Sequence, residues 1–280
     1  MKKRILSAIV GISLGVAVLF FYETVFFTFV LSAISIMTIY EILIATKYSK
    51  NLPLSAVSLI FAGLVPFFNP FTLTVKIIVF LFVLSLFVIM LVYYRSVKLE
   101  QIGLVFFIST VIPISYTCLS LIKDNYGILS MFYVVAILVS AWTGDSGAYF
   151  VGMLIGKKPL APNISPKKTV EGAIGGVVAA AISTVIWGYL YVFYHDIRGT
   201  TIKANLLYLI IIGIVGAIIG MLGDLFASLI KRQCAVKDFG SILPGHGGIY
   251  DRFDSIIFVA PVLYLLMQII NPLQLISLAS

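Results

Sequence analysis

The 27 residues from Ser228 to Asp254, SLIKRQCAVKDFGSILPGHGGIYDRFD, form the one long polar run in a very apolar chain. The run holds the cations Lys231, Arg232, Lys237 and Arg252, the carboxylates Asp238, Asp251 and Asp254, and His246. It also holds Gly240, Gly245, Gly247 and Gly248, which let a backbone bend or approach a ligand closely. Lysine and arginine hold phosphate oxygens through charge-assisted hydrogen bonds. Aspartate binds Mg2+, which keeps several waters and bridges to substrate phosphates. Together these residue types point to phosphate chemistry assisted by a divalent metal.

Two upstream stretches carry the same chemistry. In WTGDSGAYFVGMLIGKK (142–158) Asp145 stands inside an apolar run, where a carboxylate is costly and by default functional. Gly144 and Gly147 flank it and are expected to permit a local break in the helix. Gly152 and Gly156 form a small-residue pair suited to close helix contact. The loop that follows has Pro159, Pro162 and Pro166 to keep it out of helix. Its Lys157, Lys158, Lys167 and Lys168 make a basic strip. Glu171 opens the next helix, either complementing the positive helix terminus or taking part in chemistry. Further on, Gly213, Gly216, Gly220, Asp224, Ser228 and Lys231 recur at spacings of three and four, so they share one helical face. Asp224 and Lys231 are about 10 Å apart along that helix at ~1.5 Å per residue. Asp251, Asp254 and Ser255 begin the last apolar segment at i, i+3 and i+4.

The 228–254 stretch resembles phosphatidate cytidylyltransferases, also called CDP-diacylglycerol synthases. Their pattern, S-x-x-K-R-x4-K-D-x-G-x3-P-x-H-G-G-x-x-D-R-x-D, is met at every fixed position, from Ser228 through Pro244 to Asp254. The resemblance extends to GDSGAYFVG (144–152) and SPKKTVEG (165–172), and so covers roughly the C-terminal half. It implies transfer of a cytidylyl group from CTP to phosphatidic acid, giving CDP-diacylglycerol and pyrophosphate, as a step of phospholipid biosynthesis. The lipid phosphate is itself the nucleophile, so the task is to bring two polyanions together. Asp224, Lys231, Arg232 and Asp251 are the expected catalytic residues. Asp224 and Asp251, with Asp145 and Asp254, are the expected ligands of Mg2+, with room for two ions and for Mn2+ as a substitute. Lys167, Lys168, Ser228, Lys237, Asp238, His246, Gly247, Gly248 and Arg252 are the expected substrate-binding residues. Lys231 and Arg232 fall at headgroup level, towards phosphatidic acid; Lys237, Gly247 and Gly248 fall in the loop, towards CTP. Asp238 is left between a metal role and ordering Lys237.

The elements that must position these residues are membrane helices. Of 280 residues, 61% are hydrophobic and 11% charged, against about 25% charged in a soluble domain. The mean hydropathy is +1.13. The fold class is therefore an all-α polytopic membrane protein, drawn as about nine transmembrane segments. They lie near 5–22, 25–46, 53–69, 71–94, 101–122, 127–155, 170–194, 203–230 and 253–275, the third short and the sixth interrupted by polar residues. The chain reads as a single membrane domain, 1–280, with 1–125 as N-terminal helices and 126–280 as catalytic helices and loops. The charged, apolar opening resembles a signal peptide, but no cleavage pattern follows promptly; it is expected to stay as the first helix.

Alternating helices put the N-terminus and the loops near 47–52, 95–100, 157–168 and 231–252 on one side. Those regions hold 15 of the 19 Lys and Arg; Lys76, Lys123, Arg198 and Lys203 are the remainder. Positive charge marks the cytoplasmic side, so the N-terminus is expected in the cytoplasm, the C-terminus opposite, and the active site facing the cytoplasm from the inner (plasma) membrane. A net charge of +8 then reflects topology and anionic lipid rather than nucleic acid. The expected partners are CTP, phosphatidic acid and membrane lipid, with a homodimer left open. Cys118 and Cys234 suit neither a disulfide framework nor a zinc site. Two other classes compete. A secondary transporter also carries intramembrane acids and broken helices but needs no such cation-, acid- and glycine-rich loop. A CDP-alcohol phosphotransferase would carry D-G-x-x-A-R with later spaced aspartates, which this chain lacks.

Overall fold

The computed structural model describes residues 17–240, 247–270 and 273–275, together with Ser13 and Gly15. The described residues form α1 Val25–Ala45, α2 Leu52–Leu64, α3 Leu73–Val92, α4 Leu99–Asn125, α5 Ser130–Ile155, α6 Val170–Ile197, α7 Leu206–Gln233 and α8 Tyr250–Ile269. Among the described residues seven helices are long and apolar enough to cross a membrane, and α2 with the 3-10 turn after it is shorter. The all-α polytopic class expected from composition is therefore what the chain adopts. Segments two to nine of the nine expected are all present as helices. The first falls mostly outside the described residues; its last turn, 17–20, is helical.

Local signals set several boundaries. Thr24, Asn51 and Thr169 are N-caps whose side chains accept from Phe26 N, Leu54 N and Gly172 N, satisfying first-turn amides that have no partner within the helix. Pro66 lies in the tighter turn that follows α2. The prolines of the basic loop do exclude helix, and the segment forms a two-stranded antiparallel hairpin, β1 Pro159–Ala161 and β2 Ser165–Thr169. A second small pair joins β3 Ile202–Ala204 to β4 Leu273–Leu275.

The break that Gly144 and Gly147 would permit at Asp145 does not occur: α5 is continuous from Ser130 to Ile155. The glycines beside it serve packing instead. A Cβ at Gly176 of α6 would overlap or nearly touch Gly144 O and Ala148, and one at Gly147 would run into Ala179 and the Gly175 carbonyl. Small residues thus let α5 and α6 approach along their backbones.

Contacts cluster into two compact units, Met1–Leu121 with Ile230–Phe253, and Ile122–Leu229 with Asp254–Ser280. In the first, α1 and α4 are joined by Thr28 and Ser120 (3.3 Å), and Phe61 of α2 stacks on Phe82 of α3 at 4.1 Å. The polar run from Ile230 to Phe253 belongs to this unit, with helices that hydropathy alone had marked as scaffold. In the second unit the expected small face of α7 packs against its neighbours. Gly213 abuts Ala181 and Thr184 of α6, Gly216 abuts Ser140 of α5, and Gly223 abuts the Asp254 carbonyl of α8. Trp187 Nε1 donates to Phe132 O at 3.1 Å, tying α6 to α5.

Candidate functional site

Each unit holds a cluster of carboxylates and cations. In the second unit, Asp145 on α5, Asp224 on α7 and Lys167 and Lys168 on β2 line one cavity of about 380 Å3. The hairpin brings the lysines there, because β2 runs directly into the N-cap of α6. Lys168 forms an ion pair with Asp224 Oδ2, with 23% and 29% of the two side chains exposed. Asp145 Oδ2 accepts from Ser255 Oγ at 2.9 Å, and Asp254 Oδ1 accepts from Ser255 N at 2.8 Å. The walls between these groups are Gly144, Ala148, Gly152, Gly172, Gly176 and Ala217, with Tyr149, Met153 and Met221. Small residues leave the volume open, and the polar groups gather within an otherwise apolar lining. Such a cavity suits an anion that carries its own apolar tail.

The donor set fits a hard cation. Two carboxylates facing one cavity, with room beside them, match the way Mg2+ binds through one or two protein carboxylates plus water and phosphate oxygens. Among the described residues no group of three or more His, Cys, Asp or Glu stands ready to hold a metal alone.

In the first unit, Asp251 in the first turn of α8 has both oxygens engaged. Oδ1 accepts from Lys231 Nζ at 2.9 Å, and Oδ2 accepts from Phe239 N and Gly248 N, each at 2.9 Å. Its side chain is 5% exposed. Gly247 takes φ +83°, the left-handed region that glycine enters without strain. A Cβ there would stand 2.9 Å from Asp251 Oδ2. A metal on Asp251 Oδ1 would have to take the place of the Lys231 ammonium.

Lys237, Asp238, Arg232 and Arg252 are exposed, and Ser228 is half-buried. His246 lies outside the described residues. Glu171 lies in the first turn of α6, where its charge suits the positive helix terminus, and its Oε2 also accepts from Lys157 N at 3.0 Å and Lys158 N at 3.1 Å. It pins the chain leaving α5 to the start of α6.

Glu41 is the residue that sequence reasoning passed over. It sits near the end of α1, 2% exposed, and accepts from Ile249 N and Tyr250 N at 2.9 Å each. The signal was present, since an acid inside an apolar segment is a site candidate by default. The surrounding 1–125 stretch carries no motif that drew attention to it.

Fold and site together define a polytopic helical membrane protein with clusters of carboxylates, lysines and glycine-shaped turns. A sequence model of the family described as "Cytidylyltransferase family" matches residues 2–270, and the chain belongs to that family. Among curated relatives, phosphatidate cytidylyltransferase of Haemophilus influenzae is 31% identical over 295 residues, 93% of this chain and 96% of the relative. The enzyme of that name from Bacillus subtilis (strain 168) is 44% identical over 148 residues, 53% of this chain and 51% of the relative. The one from Staphylococcus haemolyticus is 44% identical over 135 residues, 48% of each. The chain thus spans about half the length of the last two.

Proposed function

We propose that this chain is a phosphatidate cytidylyltransferase, joining the phosphate of phosphatidic acid to the cytidylyl group of CTP and releasing pyrophosphate. The observation that carries this reading is the cavity where Asp145, Asp224, Lys167 and Lys168 meet an apolar wall. A lipid phosphate needs both the charged floor and the apolar side. The names of the relatives carry the same substrate.

In this reading a phosphatidic acid oxygen attacks the α-phosphorus of CTP, forming one P–O bond as the bond to pyrophosphate breaks. No serine, cysteine or histidine nucleophile is required. Lys168 and Lys167 neutralise the lipid phosphate and orient it. Asp145 and Asp224 would hold Mg2+, which when bound draws charge from phosphate oxygens and favours in-line transfer. Asp254 keeps Ser255 in place, and Ser255 donates to Asp145, so the outer residues orient the inner carboxylate. Lys237, exposed in the polar loop, is the cation offered to CTP.

The distribution of 15 of 19 Lys and Arg supports a cytoplasmic N-terminus and a cytoplasmic 231–252 loop, where CTP is found. The bacterial relatives support the inner membrane as the location.

Purified protein in detergent, given labelled CTP, phosphatidic acid and Mg2+, should form labelled CDP-diacylglycerol and pyrophosphate. EDTA should abolish turnover and excess Mg2+ restore it. Absence of lipid product from folded protein would overturn the reaction; full turnover after chelation would overturn the metal role alone.

A further inference from the structure

Glu41 has no role in the mechanism above, yet it is among the most thoroughly engaged carboxylates described. A buried acid is costly unless its oxygens find donors. Glu41 finds them 208 and 209 residues away, at Ile249 N and Tyr250 N. These amides begin α8, where N–H groups lack intrahelical acceptors and the helix dipole favours negative charge. Glu41 therefore caps α8 from another helix.

Two glycines show that the fit is made for this side chain. A Cβ at Gly240 would overlap Glu41 Oε1, and one at Gly248 would overlap Oε2. Neither glycine is at a positive φ, so backbone strain does not explain them; the carboxylate does. Phe239 and Tyr250, both buried, pack ring to ring at 4.5 Å beside it. Asp251 Oδ2 grips Phe239 N and Gly248 N from the other direction. Two carboxylates thus hold the residues on either side of 241–246.

We infer that Glu41 is a positioning residue: it clasps Gly240, Gly248 and the start of α8, and so sets the backbone of the polar stretch at 237–240 and 247–252 for the nucleotide. The assignment of that stretch to CTP rests on the function proposed above; the clasp does not. Replacing Glu41 by Gln keeps the shape but turns one acceptor into an NH2 group facing a backbone N–H. The turn should loosen while the helices stay intact.

Three measurements on the full chain in detergent test this. Glu41→Gln should raise KM for CTP about tenfold or more, with KM for phosphatidic acid changed less than about twofold. A residue that only supported folding would lower the yield of active protein and leave both KM values alone. In a Cys118→Ser background, maleimide should label Cys234 at least about threefold faster in Glu41→Gln than with Glu41 present, without substrates, as the local turn opens more often. Gly240→Ala should cost more than about tenfold in kcat/KM beside Glu41 but less than about threefold in a Glu41→Ala chain, because the overlap is gone. Unchanged labelling or additive Gly240 and Glu41 effects would each overturn the clasp; an unchanged KM for CTP would overturn its service to the nucleotide. If no cytidylyl transfer occurs at all, the labelling rate, with Gly240→Ala melting temperatures in the two backgrounds, still decides it. If transfer occurs and these fail, the clasp falls and the proposed reaction stands.

Discussion

Asp251 and Asp224 each pair with a lysine, but the rest of their surroundings differ. Asp251 is 5% exposed, and beyond Lys231 its other oxygen accepts two backbone amides. Asp224 is 29% exposed and shares its cavity with Asp145, Lys167 and Lys168. A carboxylate filled by backbone donors orders a turn. A carboxylate facing open volume beside a second acid is placed to meet a cation or a phosphate. The same residue types therefore hold a loop in one unit and line a cavity in the other.

The sharpest way to break this contrast is to neutralise each acid. Asp224→Asn is expected to lower kcat by about two orders of magnitude or more, with the melting temperature nearly unchanged. A loss under about tenfold, roughly 1.4 kcal/mol of barrier, would mean that the cavity is not where chemistry occurs. Asp251→Ala should show the reverse emphasis. It leaves a largely buried ammonium and two amides without their acceptor, and loss of one partner of a buried pair costs about 3–5 kcal/mol. Thermal unfolding in detergent should record a large fall; a stable Asp251→Ala protein lacking only activity would make Asp251 a ligand like Asp224.

Smaller effects refine the picture. Lys168→Ala removes a charged contact worth about 1.5–3 kcal/mol, so kcat/KM for phosphatidic acid should fall by roughly one to two orders of magnitude. Lys237→Ala, on the exposed loop, should act mainly on CTP in the same bisubstrate kinetics. If the two mutants exchange substrates, the division between cavity and loop is reversed.

The smallest effect concerns Cys234, just beyond α7. Burial pushes its thiol pKa above the ordinary value. At neutral pH it therefore holds less thiolate than a free cysteine, and thiolate is the reactive form. Impermeant maleimide should label it slowly, faster as pH rises, and from the cytoplasmic side in inverted vesicles. Labelling only from outside intact cells would reverse the orientation.

Much of the molecule was legible beforehand because its physics is one-dimensional. Runs of about twenty apolar residues must be helices in a bilayer, so segments two to nine were found with ends shifted by a few residues. The α7 face from Gly213 to Asp224 was readable because helical spacing converts directly into direction. Asp145 was readable as a buried charge, but the glycines beside it were not. Gly144 and Gly147 look like helix breakers in a string, and only the approach of α6 shows that they are packing surfaces.

Composition and hydropathy along the chain are enough for the class, a helical membrane protein, and the motifs carrying acids, lysines and glycines point to the chemistry. Tertiary structure alone decided the partners. It paired Asp224 with Lys168 through a β-hairpin, gave Asp251 to Lys231 and two amides, turned Glu171 to the chain leaving α5, and brought Glu41 to residues more than 200 positions away. The physical reason is that membrane insertion depends on local apolarity, whereas a buried carboxylate is satisfied by whichever donors the packed helices bring to it, and sequence spacing does not record which those are.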